Sequence, residues 1–339
     1  MHFFKIFTAA TCLLLAPFLV SGFVGFGARR MTFRLGDTAA DVISDGPPRA
    51  LVLGLGFAQF LVVRTLAREG VSSVVMSDAK RAAYVGNWMP DHIASGAAAV
   101  VTNGEGEWED AASKCTTLVV CPEAADVPGR TVTALLRKMP RCSRLVVVNP
   151  AGTTTGVSKE KEGNWLFNNI MMAGGKRVGM AGDNMEYAKS CEEAAIAAVS
   201  ENLIKDYVII HRGKLYGGGF GEGWVGLGED YFRVCGSVPD EVLERTYDAG
   251  RVATKILSGD GIDVSPKRKI DMKSEGGEET AFLEEVKDKT HRVALAGSVA
   301  AAVTLEDPPS RFSVIISRGD MPTPIEDVRT ELSRIDAAV

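Results

Sequence analysis

At 339 residues the chain has room for one large or two modest domains around a substantial apolar core. A composition of 46% apolar and 24% charged residues is that of a globular fold, and a formal net charge of -5 excludes the broad basic field on which nucleic-acid binding usually rests. The six Cys and four His contain no Cys-x-x-Cys, His-x-x-x-His or His-Glu-x-x-His spacing, so neither a metal site nor a disulfide framework is expected. Cys115, Cys121, Cys142, Cys191 and Cys235 read as buried thiols.

Lys5 precedes an apolar stretch, residues 6–20, that is short for a bilayer span and runs into Val20-Ser21-Gly22. That pattern predicts a signal peptide over residues 1–22. Residues 23–46 open on Phe23 and stay basic and hydroxylated to Arg34, with Asp37 the first acid of the chain. A signal peptide followed by Phe and an acid-free basic segment resembles the bipartite presequence of secondary plastids; secretion is the alternative. No membrane span is expected after processing, and the folded part begins near Pro47.

Ala50 to Leu53 is an apolar run too short for a helix, and it ends at Gly54-Leu55-Gly56. A helix-compatible stretch follows up to Gly70, which stops it, and a second, β-branched run, Ser72 to Ser77, closes on Asp78. Strand, glycine turn, helix, strand and acid is the order of a dinucleotide-binding unit. Gly54 lets the chain turn off the strand. Gly56 and Phe57 lead into the helix, and Gly56, lacking a Cβ, lets a pyrophosphate approach N–H groups at the positive end of the helix dipole. Gln59 replaces the third glycine of the fingerprint. It is expected to hold helix and strand further apart or to lend its amide to the phosphate. Asp78 would accept hydrogen bonds from the ribose of NAD, whereas Lys80 and Arg81 would pair with the 2′-phosphate of NADP, so the cofactor reads as NADP or NAD. The plainer alternative is an ordinary turn that needs two glycines for its geometry.

Further strands are predicted at Ala97–Thr102, Thr116–Cys121, Leu145–Val148 and Tyr207–Arg212, with helices over Val127–Met139 and from Asp183 or Asn184 to about Asn202. Alternating strands and helices at this spacing argue a doubly wound parallel sheet, an α/β fold with ligands at the carboxyl ends of its strands. That places Gly54, Gly56, Asp78, Asn103, Pro122 and the loop from Asn149 to Thr155 around one crevice. Residues 156–182 read as a loop over it. Seven glycines between Tyr216 and Gly228 demand irregular backbone. A helix is expected around Glu241–Leu257. Residues 260–289, with fifteen charges in thirty, read as a solvated or flexible insertion. A helix over His291–Leu305, a strand over Arg311–Ile316 and a helix over Pro324–Ile335 close the chain. The domain reading is residues 47–229 as the nucleotide-binding domain and 230–339 as a region completing it.

Three stretches resemble the atypical and extended short-chain dehydrogenase/reductases: Gly54-Leu55-Gly56-Phe57, the strand Asp206 to Arg212 running into Gly213-Lys214-Leu215-Tyr216-Gly217, and the late segment Arg292 to Ala300. The resemblance implies a Rossmann-like sheet, NAD(P), a small-molecule substrate bound by a small C-terminal region, and a catalytic set of Ser or Thr, Tyr and Lys. In that set Tyr exchanges a proton with the substrate, Lys holds the ribose and a hydroxyl orients the substrate. Lys189 matches the family's lysine, Tyr187 is the nearby tyrosine and Thr153 the nearby hydroxyl, with Tyr216 a further proton donor to weigh. The pattern departs where it matters. Met185 stands four residues before Lys189, and Tyr187 lies about 200° around a helix from it. Two functions therefore remain: an NAD(P)H-dependent reductase of a small or pigment-like substrate without the usual Tyr-x-x-x-Lys pair, or a non-catalytic assembly or regulatory factor in a plastid protein complex.

Overall fold

The computed structural model describes residues 49–54, 57–77, 90–102, 107–123, 127–153, 185–216, 252–265, 267–318 and 323–336. The expected leader (1–46), Gly56, Asp78, Lys80, Arg81, Asn103, the 156–182 loop and the glycine-dense loop lie outside these residues. So do the side chains of Phe57 and Tyr216.

Strands β1 (Arg49–Leu53), β2 (Ser72–Ser77), β3 (Ala98–Thr102), β4 (Thr117–Val120), β5 (Arg144–Pro150) and β6 (Asp206–Arg212) form one parallel sheet in the order 3-2-1-4-5-6. Strand order reverses beside β1, which creates the crevice where ligands bind in doubly wound sheets. Beyond β6, β10 (Arg311–Arg318) adds in parallel and β8 (Val252–Ser258) closes the edge antiparallel to it. A separate parallel ribbon pairs β7 (Lys214–Tyr216) with β9 (Lys289–His291). The architecture is α/β and Rossmann-like.

Successive residues of the central strands point to opposite faces. Val52, Val146, Val148, Val208 and Ile210 meet helices α1 (Phe57–Arg68), α7 (Arg292–Thr304) and α8 (Ile325–Asp336) on one side. Leu51, Val74, Leu145 and Val147 meet α3 (Glu107–Ser113), α4 (Gly129–Leu136) and α5 (Met185–Ser200) on the other. The short α2 (Pro90–Ala94) precedes β3. α1 ends as the sequence predicts: Gly70 takes φ +74°, and Val71 N–H donates to the Leu66 carbonyl at 2.9 Å, a Schellman closure. Burial pushes the thiols of Cys115, Cys121 and Cys191 up to about 12 and that of Cys142 to about 11, so all four are inert packing groups.

Two expectations are corrected. Residues 252–257 are not the end of a helix but β8, whose β-branched Val252, Thr254 and Ile256 find their hydrogen-bond partner only in β10, more than fifty residues later. Much of the charged stretch is exposed, but the Asp260 side chain and Ile262 are buried, and the stretch carries α6 (Gly277–Val286), seated through Phe282 and Val286 on Ile316 of β10.

Arg144 ties the layers together. Its guanidinium bonds both carboxylate oxygens of Asp206 at 2.7 and 2.9 Å and caps the end of α7 through the carbonyls of Ala302, Leu305 and Glu306. A cation suits that end of the helix dipole. Arg144→Met is expected to cost about 3 kcal/mol, because several buried carbonyls and a carboxylate lose their donor. Urea denaturation checks it; a loss within ±0.5 kcal/mol would show that these groups are satisfied elsewhere.

Candidate functional site

Gly54 ends β1 with φ +141°, and a Cβ there would lie 2.2 Å from the Cys121 carbonyl oxygen. The glycine is thus demanded by the close passage of the strand β1 exit past the strand β4 exit, where Cys121 N–H donates to Leu53 O at 2.8 Å. This geometry requires glycine whether or not a nucleotide binds.

The Gln59 amide bonds the strand. It is buried, and its Nε2 donates to the Val52 carbonyl at 3.0 Å, pinning helix to strand rather than reaching toward a phosphate. The first turn of α1 is instead met by a residue the sequence reading passed over. Glu123, in the loop after β4, is 5% exposed and accepts a hydrogen bond from Ala58 N–H through Oε2 at 2.6 Å. Its Oε1 accepts from Nε of Arg292, the first residue of α7, at 2.7 Å. Both side chains are about nine-tenths or more buried. Charge-assisted bonds of this kind, at a positive helix end, are among the stronger single contacts in a fold. The residues present therefore do not fit a pyrophosphate as they stand: the Ala58 N–H is already engaged, and a carboxylate brings like charge to the place a phosphate would take. An acid three residues past the end of β4, in Cys121-Pro122-Glu123, is the signal that could have pointed there.

The second half of the site lies under α5. Asn149 at the end of β5 donates through Nδ2 to the Ala188 carbonyl at 2.9 Å and to Glu192 Oε1 at 3.1 Å. Glu192 Oε2 accepts from Arg311 Nη2 at 3.0 Å. In the next strand His211, in register with Asn149 and with Ser313 of β10, is fully buried 3.8 Å from Asp260. Asp260 in turn accepts from Gly152 N–H at 2.9 Å. Four buried atoms here (Asn149 Oδ1, both His211 ring nitrogens and Asp260 Oδ1) have no hydrogen-bond partner among the described residues. Such clustering of unsatisfied groups is uncommon in a core. Burial lowers the His211 pKa below its usual 6.5, against the opposing pull of Asp260 and Glu192, so the imidazole is neutral. None of these atoms reaches solvent.

The candidate catalytic residues are not brought together with it. Tyr187 is 38% exposed rather than part of the buried face of α5, which consists of Ala188, Cys191, Glu192, Ala194, Ala195 and Ala198. The reason is where α4 begins: Gly129, its first residue, lies against the Ser190 carbonyl, its N–H bonded to Ser190 Oγ at 2.9 Å, so the first turn of α5 projects past its neighbour. Lys189 is exposed as well. Thr153 is half-buried, and its hydroxyl donates to the Pro150 carbonyl. Glu192, His211 and Asp260 escaped the sequence reading because their partners come from β5, β10 and the loop after β8.

No protein-family model matches the chain, and no curated protein matches its sequence. Similar solved structures include a protein described as an NAD-dependent epimerase/dehydratase from Bacillus halodurans (14% identity, 84% of this chain and 100% of that one, TM-score 0.44). Vestitone reductase from alfalfa (14%, 85% and 82%, TM-score 0.41) and UDP-N-acetylglucosamine 4-epimerase from Bacillus cereus (12%, 86% and 85%, TM-score 0.40) are two others. The fold is assigned from strand order and register.

The buried imidazole has a consequence for acid stability. The unfolded chain protonates His211 near 6.5 while the folded chain resists, so the unfolded state binds more protons in that window. The stability due to neutral His211 is complete above about 6.5 and is lost as pH falls through the lowered folded value. His211→Gln should flatten the fall in thermal midpoint between pH ~7 and ~5 relative to the parent; parallel curves would show that His211 does not titrate differently on folding.

Proposed function

We propose that the chain is an NAD(P)-binding protein of the atypical short-chain dehydrogenase/reductase type, working as an NAD(P)H-dependent reductase of a small or pigment-like molecule. What carries the reading is β1–Gly54–α1–β2, set in mid-sheet beside the reversal of strand order, where a doubly wound sheet takes its ligand. The chain's own groups near the ends of β5 and β6, Asn149 and the Gly152–Asp260 contact, would shape the wall against which a substrate lies.

A specific observation favours a second reading, a non-catalytic factor that keeps the fold for plastid assembly or regulation. Tyr187 and Lys189 both face solvent and the Thr153 hydroxyl is bound within its own turn. The composition of residues 1–46 supports plastid delivery, which a fluorescent fusion of that segment tests by where it accumulates.

Titration with NADPH and NADH, followed by nicotinamide fluorescence, decides the main point. Binding of one cofactor in the micromolar range, abolished by Gly56→Asp, is the expected outcome; no binding of either rejects the dinucleotide reading. A substrate screen on the cofactor-bound protein then separates reductase from factor. If turnover is found, Tyr187→Phe should leave kcat within about twofold. A loss of ~10²-fold or more, the scale of a removed acid–base group, would mean that Tyr187 touches the substrate after all.

A further inference from the structure

The pairing of Glu123 with Ala58 and Arg292 goes beyond the dinucleotide reading on which it rests. We propose that Glu123 is an internal competitor for the pyrophosphate, and that a dinucleotide enters only by displacing its carboxylate from the first turn of α1 and taking over Arg292.

Four observations support this. The helix N–H that Glu123 accepts from belongs to Ala58, four residues after Gly54, within the turn that receives phosphate in dinucleotide-binding units. The bond is short, 2.6 Å, and dry, with the Glu123 side chain 4% exposed. Arg292 is the first residue of α7, where the helix dipole is positive, so a guanidinium there is disfavoured unless an anion neutralises it. Glu123 is that anion in this structure, at 2.7 Å. Finally, Glu123 sits on the loop after β4 whereas α1 and α7 are packed on the sheet through many buried residues, so displacing the carboxylate would leave both helices in place. A phosphate replacing it would meet the same N–H and the same guanidinium, and Arg binds phosphate as readily as carboxylate. The exchange is thus nearly even in contacts. Its cost is the relocation of Glu123, which must lower affinity for any dinucleotide.

The test compares the full chain with Glu123→Gln, a near-isosteric change that removes the charge, each checked for cooperative unfolding. Both are titrated with NADPH, NADH and inorganic pyrophosphate. Removal of a like charge from the site should tighten NADPH and pyrophosphate by about tenfold or more. Equal NADPH affinity in the two chains overturns the competitor role and leaves the dinucleotide reading standing. Gain for pyrophosphate without any dinucleotide binding upholds the competitor and rejects that reading. No binding of any probe by a folded Glu123→Gln rejects both. If the variant does not fold, the unaltered chain carries the decision. Saturating NADPH should move the Arg292 Nε–H and Ala58 amide resonances, and bound NADPH with both signals unmoved overturns the proposal.

Discussion

The Glu123 carboxylate is held at once by a helix that begins 66 residues before it and by one that begins 169 residues after it. Without it, the N-terminus of α1 would lose its anion, and Arg292 would be a buried cation at the wrong end of α7. The other end of α7 is governed by Arg144, whose guanidinium covers the terminal carbonyls and reaches Asp206 on β6. One alanine-rich helix is therefore fixed at both termini by side chains from the sheet side of the molecule. Its small residues then let it lie against α1, with Leu295, Val299 and Ala302 joining Val62 and Leu66 in one core. The face of the sheet covered by α1 and α7 is built around these two ionic clamps.

The opposite face is organised by small residues and by a polar layer. Asn149, His211 and Ser313 stand side by side across β5, β6 and β10, with Asp260 and Glu192 closing the ends. Such a layer costs stability unless every atom is paired, and here four are not. The acid–base residues of the resembling family would come from the outer turns of α5; in this chain the polar side chains lie beneath that helix instead.

Much of the architecture was written in the chain itself. Apolar runs of four to seven residues between glycine and proline signals define the strands from Ala50 to Arg212, and Gly70 marks a helix end because only a left-handed residue closes that turn cheaply. These are local properties, set by periodicity and backbone sterics, and neighbours in space do not alter them. The strand β8 shows the limit: its edge position and antiparallel pairing are decided by β10, which no local pattern reveals.

The site divides along the same line. Sequence order alone marked the turn after β1 and its demand for glycine at position 54, although only the tertiary structure showed that the demand comes from the Cys121 carbonyl. It could not foretell that Gln59 bonds Val52, that Tyr187 projects past α4, or that Glu123 meets Ala58 and Arg292. Those outcomes depend on which groups the folded chain brings within hydrogen-bonding range, from seven residues apart for Gln59 and Val52 to 169 for Glu123 and Arg292. A hydrogen bond or an ion pair acts only at that range, whereas the hydrophobic periodicity that builds strands and helices is legible one turn at a time.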